Sequence, residues 1–322
     1  MATTLYFVVP CYNEEEVLSL TAKCLDEKMS SLKSSGRISP ASRVMFVDDG
    51  SKDRTWSMIE DLHRENPDTF SGLKLSRNKG HQNALLAGLM TAKDLADATI
   101  SMDADLQDDV NAVDAMLDNY EKGCEIVYGV RSSRKTDSVF KRSTAQGFYK
   151  LMSFLGADIV YNHADYRLMS NRALEGLSRF REVNLFLRGI VPLVGYKSTT
   201  VEYERGERKA GESKYPLKKM LEFSWNGITS FSVKPIRYIT MLGFIFFVVS
   251  LIMILYAVIA KLVGLTVSGW TAIMCSIWML GGLQILAVGI VGEYIGKMYM
   301  ETKHRPPYLI DTVLDTNQNI DA

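Results

Sequence analysis

The sequence has few of the residues that disulfide frameworks and zinc sites require: only four cysteines and four histidines occur among 322 residues. The cysteines form no CxxC pair, and no histidine lies near them at a spacing suited to zinc. We therefore expect reduced thiols in a cytoplasmic environment. Residues 1–11 also lack the basic start and the long apolar run of a signal peptide, so we expect the first domain to stay in the cytoplasm.

An excess of one charge sign is absent as well, because 37 basic side chains are balanced by 37 acidic ones. Proteins that bind nucleic acids without a specific motif usually gather a basic excess on one face. We therefore expect no nucleic-acid partner. Internal repeats and low-complexity tracts are also lacking, which disfavours solenoid and disordered classes.

Long uncharged runs are concentrated near the C-terminus. Residues Tyr238–Ala260 form 23 consecutive uncharged residues, and Leu262–Gly292 form another 31. Runs of this length are sufficient for helices that cross a bilayer. We predict two spans, Ile236–Ala260 and Trp270–Val291. Basic residues precede the first span and follow the second, so both termini are expected in the cytoplasm, with a multi-pass hairpin in the cytoplasmic membrane.

The remaining sequence divides into further regions. A helix with apolar residues at helical spacing and lysines opposite them is predicted just before the first span, at the membrane interface, although such a pattern also fits an ordinary amphipathic core helix. The predicted domains are a cytosolic catalytic domain (1–214), a juxtamembrane amphipathic helix (215–235), a two-helix transmembrane hairpin (236–296) and a cytosolic C-terminal tail (297–322).

Short apolar strands alternate with helical patterns over the first 130 residues, which predicts an α/β fold with a mostly parallel sheet. Three of these strands end in polar clusters, at residues 10–14, 48–51 and 103–107. In such sheets, ligands bind at the carboxyl ends of the strands. The three clusters are therefore candidate parts of one binding site.

The cluster after the fourth strand contains two carboxylates separated by one residue, Asp103 and Asp105. Carboxylate oxygens suit Mg2+ or Mn2+, and such an ion bridges diphosphate oxygens and neutralises a leaving group. The alternative is a solvated turn with a capping aspartate. The cluster Asp48-Asp49-Gly50-Ser51 has carboxylates that could hydrogen-bond a nucleoside, but taken singly it favours a simple turn with a capping side chain.

The three clusters, in this order, resemble the nucleotide-sugar transferases of glycosyltransferase family 2, which have the Rossmann-like GT-A fold. Further motifs make the chain similar to polyisoprenyl-phosphate glycosyltransferases, especially the bactoprenol glucosyltransferases, relatives of dolichyl-phosphate mannose synthase. These motifs are Ser76–His81, Asp103–Asp108, Ala164–Ser170, Asn184–Phe186, Gly289–Gly296 and Glu301–Lys303.

The resemblance implies a role for individual residues. The nucleotide-sugar donor would contact Pro10, Tyr12, Asn13, Glu14, Asp48, Arg77, Gly80, Asp103, Ala104 and Gln107. The Mg2+ or Mn2+ cofactor would be held by Asp103 and Asp105. The acceptor phosphate would be bound by Arg131, Arg142 and Lys141, and the catalytic residues would be Asp165, Asp105 and Arg131.

The role of Asp165 stays open between a general base and a positioning residue. A phosphate monoester has its second pKa near ~6, so the acceptor needs little deprotonation at neutral pH.

The implied reaction is inverting transfer of one sugar, most simply glucose from UDP-glucose, to undecaprenyl phosphate, giving a lipid-linked sugar for cell-envelope glycans. UDP-N-acetylglucosamine is an alternative donor. A processive polysaccharide synthase is disfavoured because the Gln-x-x-Arg-Trp motif and additional spans are missing from the sequence. A non-catalytic membrane scaffold or lipid-binding subunit is the alternative from another class. Relatives also imply a homo-oligomer, namely a tetramer.

Overall fold

The computed structural model describes residues 2–132, 163–182, 186–204 and 269–315, together with isolated positions between 238 and 263. The described residues fall into two compact units. One contains the residues up to 204 together with those from 305 onwards, and the other contains those between 217 and 304.

The first unit alternates strands and helices, as the sequence predicts. Its strands are β1 (Leu5–Cys11), β2 (Arg43–Asp48), β3 (Phe70–Leu75), β4 (Ala98–Ser101), β5 (Ile126–Arg131), β6 (His163–Ser170), β7 (Ser198–Tyr203) and β8 (Ile310–Leu314). Its helices are α1 (Leu18–Ser34), α2 (Thr55–Glu65), α3 (His81–Lys93), α4 (Ala112–Glu121), α5 (Asn171–Ser178) and α6 (Leu187–Leu193).

All eight strands form a single mixed sheet in the order β7-β5-β6-β4-β1-β2-β3-β8. Pairings are parallel between β4, β1, β2 and β3 and between β5 and β7. Only β6 and β8 run in the opposite direction to the other strands. The prediction of an α/β domain with a mostly parallel sheet is therefore confirmed.

The centre of the sheet forms from continuous apolar sequence. Every residue of β1 is buried, which is typical of strands in a sheet covered on both faces. Helix α1 packs one face onto this core through Leu18, Leu25, Met29 and Leu32, at helical spacing. The polar residues that follow β1, β2 and β4 lie at one end of this apolar centre, where Asn13, Asp103 and Asp105 are half-buried and Asp49 is buried.

Two strands were not predicted. Strand β7 lies beyond the alternating pattern of the first 130 residues, and it buries Val201 and Tyr203 beside β5. Residues Ile310–Leu314, assigned to the tail, form the edge strand β8 on β3. Both strands lie at sheet edges, where charged and polar residues obscure the period-two pattern.

The second unit is described mainly through one long helix, α7 (Trp270–Thr302). Within it, Met279–Thr302 is long and apolar enough to cross a membrane. Large apolar side chains such as Ile285 and Val288 are exposed on this helix. Most of the predicted first span (236–260) and all of the predicted juxtamembrane helix (215–235) lie outside the described residues. The two-span hairpin therefore stays a prediction.

Candidate functional site

The carboxyl ends of the central strands meet at one edge of the sheet. Strands β4, β1 and β2 are parallel neighbours, and the backbone N–H of Asp49 donates to the Cys11 carbonyl at 2.9 Å. The polar clusters at residues 10–14, 48–51 and 103–107 therefore lie at the same edge. That edge is where ligands bind in sheets of this kind.

The loops after β1 and β2 are joined by reciprocal hydrogen bonds. The N–H of Asn13 donates to Ser51 Oγ at 3.0 Å, and the N–H of Lys52 donates to Asn13 Oδ1 at 2.9 Å. Asn13 has a φ of 52°, in the left-handed region that asparagine tolerates better than most residues. The Glu14 N–H also donates to Thr55 Oγ1 at 2.9 Å. These bonds fix the backbone on which Tyr12 is presented at the surface.

The two aspartates that follow β2 have different surroundings. Both oxygens of buried Asp48 accept the Ser51 N–H at 3.3 Å, and burial raises the pKa of Asp48. The carboxylate of Asp49 accepts two backbone N–H groups of the loop between β3 and α3, those of Lys79 at 2.7 Å and Gly80 at 2.8 Å. Burial also raises the pKa of Asp49, and these two hydrogen bonds oppose that effect. Asp49 thus joins the second and third loops of the site.

Gly50 allows these two loops to approach closely. It has a φ of 67°, and a Cβ at this position would lie 2.6 Å from the backbone nitrogen of Asn78. Only glycine satisfies both the conformation and the space. The exposed side chain of Arg77 lies in the neighbouring loop, beside the site edge.

The residues after β4 alternate between buried and half-buried. Asp103, Asp105 and Gln107 are half-buried, whereas the intervening Ala104 is buried. The Ala104 carbonyl accepts a hydrogen bond from Thr21 Oγ1 of α1 at 2.6 Å, and Asp105 Oδ1 accepts the Gln107 N–H at 3.2 Å. The alternation keeps both carboxylates accessible to a ligand while the backbone is anchored to α1.

These two carboxylates fit a metal that is shared with a substrate. Mg2+ is commonly held by one or two carboxylates, with water and substrate phosphates completing its shell. No group of three or more histidine, cysteine, aspartate or glutamate side chains in the described part of the chain forms a full protein cage for a metal ion. The donor set of Asp103 and Asp105 thus suits a divalent ion that arrives with a phosphorylated substrate.

A cluster of charged side chains surrounds Asp165 on β6. The guanidinium of Arg188, on α6, donates from Nε and Nη2 to the two Asp165 oxygens at 3.3 and 3.0 Å. Arg167 Nη2 donates to Asp165 Oδ1 at 2.7 Å. The His81 Nε2 atom, at the start of α3, lies 3.7 Å from Asp165 Oδ2 and 3.5 Å from Asp103 Oδ1. His81 therefore connects this cluster with the candidate metal ligands.

The charges of the cluster shift the pKa values of its members. Burial alone would raise the pKa of Asp165, but Arg188, His81 and Arg167 hold it well below its usual range. Burial alone would lower the pKa of His81, but Asp165 and Asp103 raise it to about 9. At neutral pH the Asp165 carboxylate is ionised and the His81 imidazole carries a proton.

A second polar group lies behind the half-buried carboxylates. The hydroxyl of Tyr203 donates to Asp108 Oδ1 at 2.5 Å, and Arg131 Nε donates to the Tyr203 oxygen at 3.5 Å. Burial and the nearby charge of Asp103 raise the pKa of Asp108 to about 6, and burial together with Asp108 raises the pKa of Tyr203. Tyr203 thus links Arg131, at the end of β5, to the β4 loop.

The predicted site residues differ in where the structure places them. Lys141 and Arg142, predicted for the acceptor phosphate, lie outside the described residues. Pro10 is buried within β1, and Gly80 has a φ of 88° at the start of α3. No individual role was predicted for four residues that the structure brings to this site: His81, Asp108, Arg188 and Tyr203. His81 lies within a motif that supported the family resemblance, whereas Arg188 had no local signal.

Comparison with known proteins identifies similar sequences over almost the whole chain. Residues 6–177 match the family described as glycosyl transferase family 2. An uncharacterized glycosyltransferase of Bacillus subtilis (strain 168), YkoT, is 55% identical over 98% of this chain and 93% of its own length. A bactoprenol glucosyl transferase of Shigella phage SfV is 39% identical over 94% of this chain and 96% of its own.

Among solved structures, mannosyl-3-phosphoglycerate synthase from Rubrobacter xylanophilus is similar with a TM-score of 0.45 and 15% identity. That similarity covers 70% of this chain and 71% of the synthase.

Proposed function

The chain belongs to glycosyltransferase family 2, and we propose that it transfers a single glucose from UDP-glucose to undecaprenyl phosphate. The choice of glucose as the sugar and of undecaprenyl phosphate as the lipid rests on the 39% identity, over almost the full length of both chains, to a bactoprenol glucosyl transferase. The residues at the sheet edge support a reaction between two anionic substrates.

The donor half of the proposal rests on the loops after β1, β2 and β4. Arg77 and Gly80 would lie beside the nucleoside, which would be held by Pro10, Tyr12, Asn13, Glu14 and Asp48. Asp103 and Asp105 would hold Mg2+ or Mn2+, with Ala104 and Gln107 close to the donor. Such an ion neutralises charge that develops on a diphosphate leaving group.

The acceptor half requires cations that receive a lipid phosphate. Arg131 is held by Tyr203, and an arginine fork matches the geometry of phosphate oxygens. Lys141 and Arg142 are the other two residues that we propose for this role. An acceptor phosphate oxygen would attack the anomeric carbon, the bond from that carbon to the diphosphate oxygen would break, and UDP would leave with inversion of configuration.

Asp165 is better suited to positioning than to proton transfer. The acceptor phosphate is already largely ionised at neutral pH, since its second pKa is about 6. A general base works best when its pKa is near the working pH, and the pKa of Asp165 is held well below that of an ordinary aspartate. We therefore propose that Asp165 orients its cationic neighbours, and that alignment of the substrates supplies much of the rate.

The lipid acceptor requires placement at a membrane. The span candidate within α7 supports anchoring, and we propose two spans with the catalytic domain and both termini on the cytoplasmic side. This arrangement brings a water-soluble donor to a lipid phosphate at the membrane surface. A homotetramer is part of the proposal, and the mass of the detergent-solubilised protein by light scattering tests it.

The function is tested by incubating the purified protein in detergent with undecaprenyl phosphate, Mg2+ or Mn2+, and separate nucleotide sugars. Mass spectrometry of the lipid products identifies the sugar. A hexosyl-phosphate lipid from UDP-glucose alone is the expected result. An N-acetylhexosamine product would replace the donor and keep the reaction, whereas extended chains would indicate a processive synthase.

A pair of aspartate variants separates catalysis from a scaffold role. Asp103→Asn removes a candidate metal ligand, and we expect it to abolish transfer and weaken Mn2+ binding without loss of the fold. Asp61→Asn changes an exposed aspartate of α2 that lies 2.7 Å from Arg64 Nη1, far from the proposed metal ligands in the sequence, and it serves as the matched control. Transfer that survives in Asp103→Asn contradicts the proposed metal site. If the folded wild-type protein transfers no sugar from any donor, that result would favour the alternative of a non-catalytic membrane scaffold.

A further inference from the structure

Arginine side chains from two different elements meet at the buried carboxylate of Asp165. The side chain of Asp165 is 7% exposed and contacts two guanidinium groups, those of Arg167 and Arg188. Paired hydrogen bonds between an arginine and a carboxylate fix the relative geometry of both groups. His81 lies between Asp165 and Asp103 and connects this cluster with the candidate metal ligands.

The two arginines differ in their accessibility. The Arg167 side chain is 1% exposed, so it is the internal partner of Asp165. The Arg188 side chain is 32% exposed and lies on the side of the cluster that solvent reaches. Of the two guanidiniums, only that of Arg188 is accessible to a ligand of appreciable size.

Arg188 is also held rigidly in place. Two of its nitrogens donate to the two Asp165 oxygens, which fixes the plane of the guanidinium. The backbone of α6 is fixed one residue earlier, where the Leu187 N–H donates to Gln82 Oε1 of α3 at 3.0 Å. A cation that is oriented before a ligand arrives loses little conformational entropy on binding.

The position of Arg188 relates it to the proposed substrates. Asp165 lies within 3.7 Å of His81 Nε2, and the same nitrogen is 3.5 Å from Asp103 Oδ1. Both substrates of the proposed reaction carry phosphate groups to this edge of the sheet. Planar guanidiniums bind phosphate oxygens through paired N–H groups, which a lysine does not reproduce.

We propose that Arg188 binds a phosphate group of one of the two substrates, and that Asp165 is the positioning residue that orients it. This inference rests on the proposed function, since it is the nucleotide-sugar transferase site that brings phosphate groups here. The phosphate belongs either to the nucleoside diphosphate donor or to the prenyl phosphate acceptor, and binding measurements separate the two sources.

The test compares Arg188→Gln and Arg188→Lys with Arg64→Gln, which changes an arginine paired with Asp61 on the surface of α2. Titration calorimetry of the full-length protein measures affinity for UDP with Mn2+ and, separately, for farnesyl phosphate. We expect Arg188→Gln to weaken the affinity for one of the two ligands by about tenfold or more, because a charge-assisted pair of hydrogen bonds is lost. Arg188→Lys is expected to recover part of this loss, and Arg64→Gln is expected to match the wild type.

The outcomes are distinct. A loss confined to UDP assigns Arg188 to the donor, and a loss confined to farnesyl phosphate assigns it to the acceptor. If affinity for both ligands falls equally and both Arg188 variants melt at a lower temperature, Arg188 has a structural role and the proposal is overturned. Wild-type affinity of Arg188→Gln for both ligands would also overturn it. These measurements need no sugar transfer, so a failure of the proposed acceptor in the activity assay is separable from a failure here.

Discussion

The carboxylate of Asp49 accepts a hydrogen bond from the backbone N–H of Gly80 at 2.8 Å, between two loops of the site, and it also accepts one from the preceding N–H of Lys79. We expect Asp49→Asn to destabilise the domain, because an amide places an N–H₂ group where a second acceptor oxygen is needed. Leaving a buried donor unsatisfied costs about 1–3 kcal/mol. Urea unfolding measures the loss, with Asp61→Asn as the control. Equal stability of the two variants would contradict this role for Asp49.

Two glycines with similar backbone angles form a matched pair. Gly50 and Gly36 have φ values of 67° and 70°, but a Cβ at Gly50 would lie 2.6 Å from Asn78 N, whereas nothing lies within 4 Å at Gly36. Alanine at either position is expected to cost about 1–2 kcal/mol for the left-handed conformation. Gly50→Ala is expected to lose roughly 1–3 kcal/mol more through overpacking.

The comparison of the two alanine variants by thermal unfolding isolates the steric contribution. We also expect Gly50→Ala to raise the KM for the donor, because the added Cβ would displace the loop that carries Arg77. Matching melting temperatures for Gly36→Ala and Gly50→Ala would show that the two loops do not pack as described.

Part of this site was predictable from sequence for a clear physical reason. A central parallel strand is a continuous apolar run, so the polar residues that end it, such as Asp48 and Asp103, stand out in the sequence. The placement of Arg188 could not be predicted in the same way. It contacts Asp165 from 23 residues away, through a helix of seven residues without a clear amphipathic pattern.

Contacts between distant segments were missed for the same reason. Tyr203 and Asp108 are separated by 95 residues, and neither lies in a motif that requires the other. The strand β8 follows a long apolar helix, and its pairing with β3 has no signature within its own five residues. Local patterns predict elements, whereas edge pairings and side-chain contacts depend on the assembled sheet.

Asp108 predicts a pH dependence of stability. Burial raises its pKa from 3.8 to about 6, so between these values the folded chain binds a proton that the unfolded chain does not. The stabilisation that this proton provides is complete below about pH 3.8 and is lost as the pH rises through about 6. A pKa difference of this size corresponds to at most about 3 kcal/mol.

Asp108→Asn is expected to remove this dependence, since its amide oxygen still accepts from Tyr203 and carries no charge. Lowering the pH from 7 to 5 with EDTA present should therefore stabilise the wild type relative to the variant. Denaturant unfolding at each pH gives the difference. Parallel pH profiles for the two proteins would show that the Asp108 pKa is not raised by folding.

The last prediction concerns Asp315, which follows β8 directly. Its buried carboxylate accepts from the Tyr6 hydroxyl at 3.2 Å and lies 3.7 Å from Arg43 Nε, on β2. Removal of one partner from a buried ion pair costs about 3–5 kcal/mol. Asp68 lies 3.9 Å from Arg43 Nη2 but is exposed, so it offsets the charge of Arg43 only weakly. We expect Asp315→Ala to reach this range in urea unfolding of the full-length protein.

The exposed Asp311 on the same strand gives the matched control, and Asp311→Ala is expected to change stability by less than about 0.5 kcal/mol. The loss of stability in Asp315→Asn should lie between those of the two alanine variants, because an amide oxygen still accepts a hydrogen bond from Tyr6 but does not neutralise the charge of Arg43. If β8 is only a loosely attached edge strand, Asp315→Ala and Asp311→Ala will unfold at the same urea concentration. A large difference between them would instead show that the segment after α7 is an integral part of the catalytic sheet, held there by charge as well as by backbone pairing.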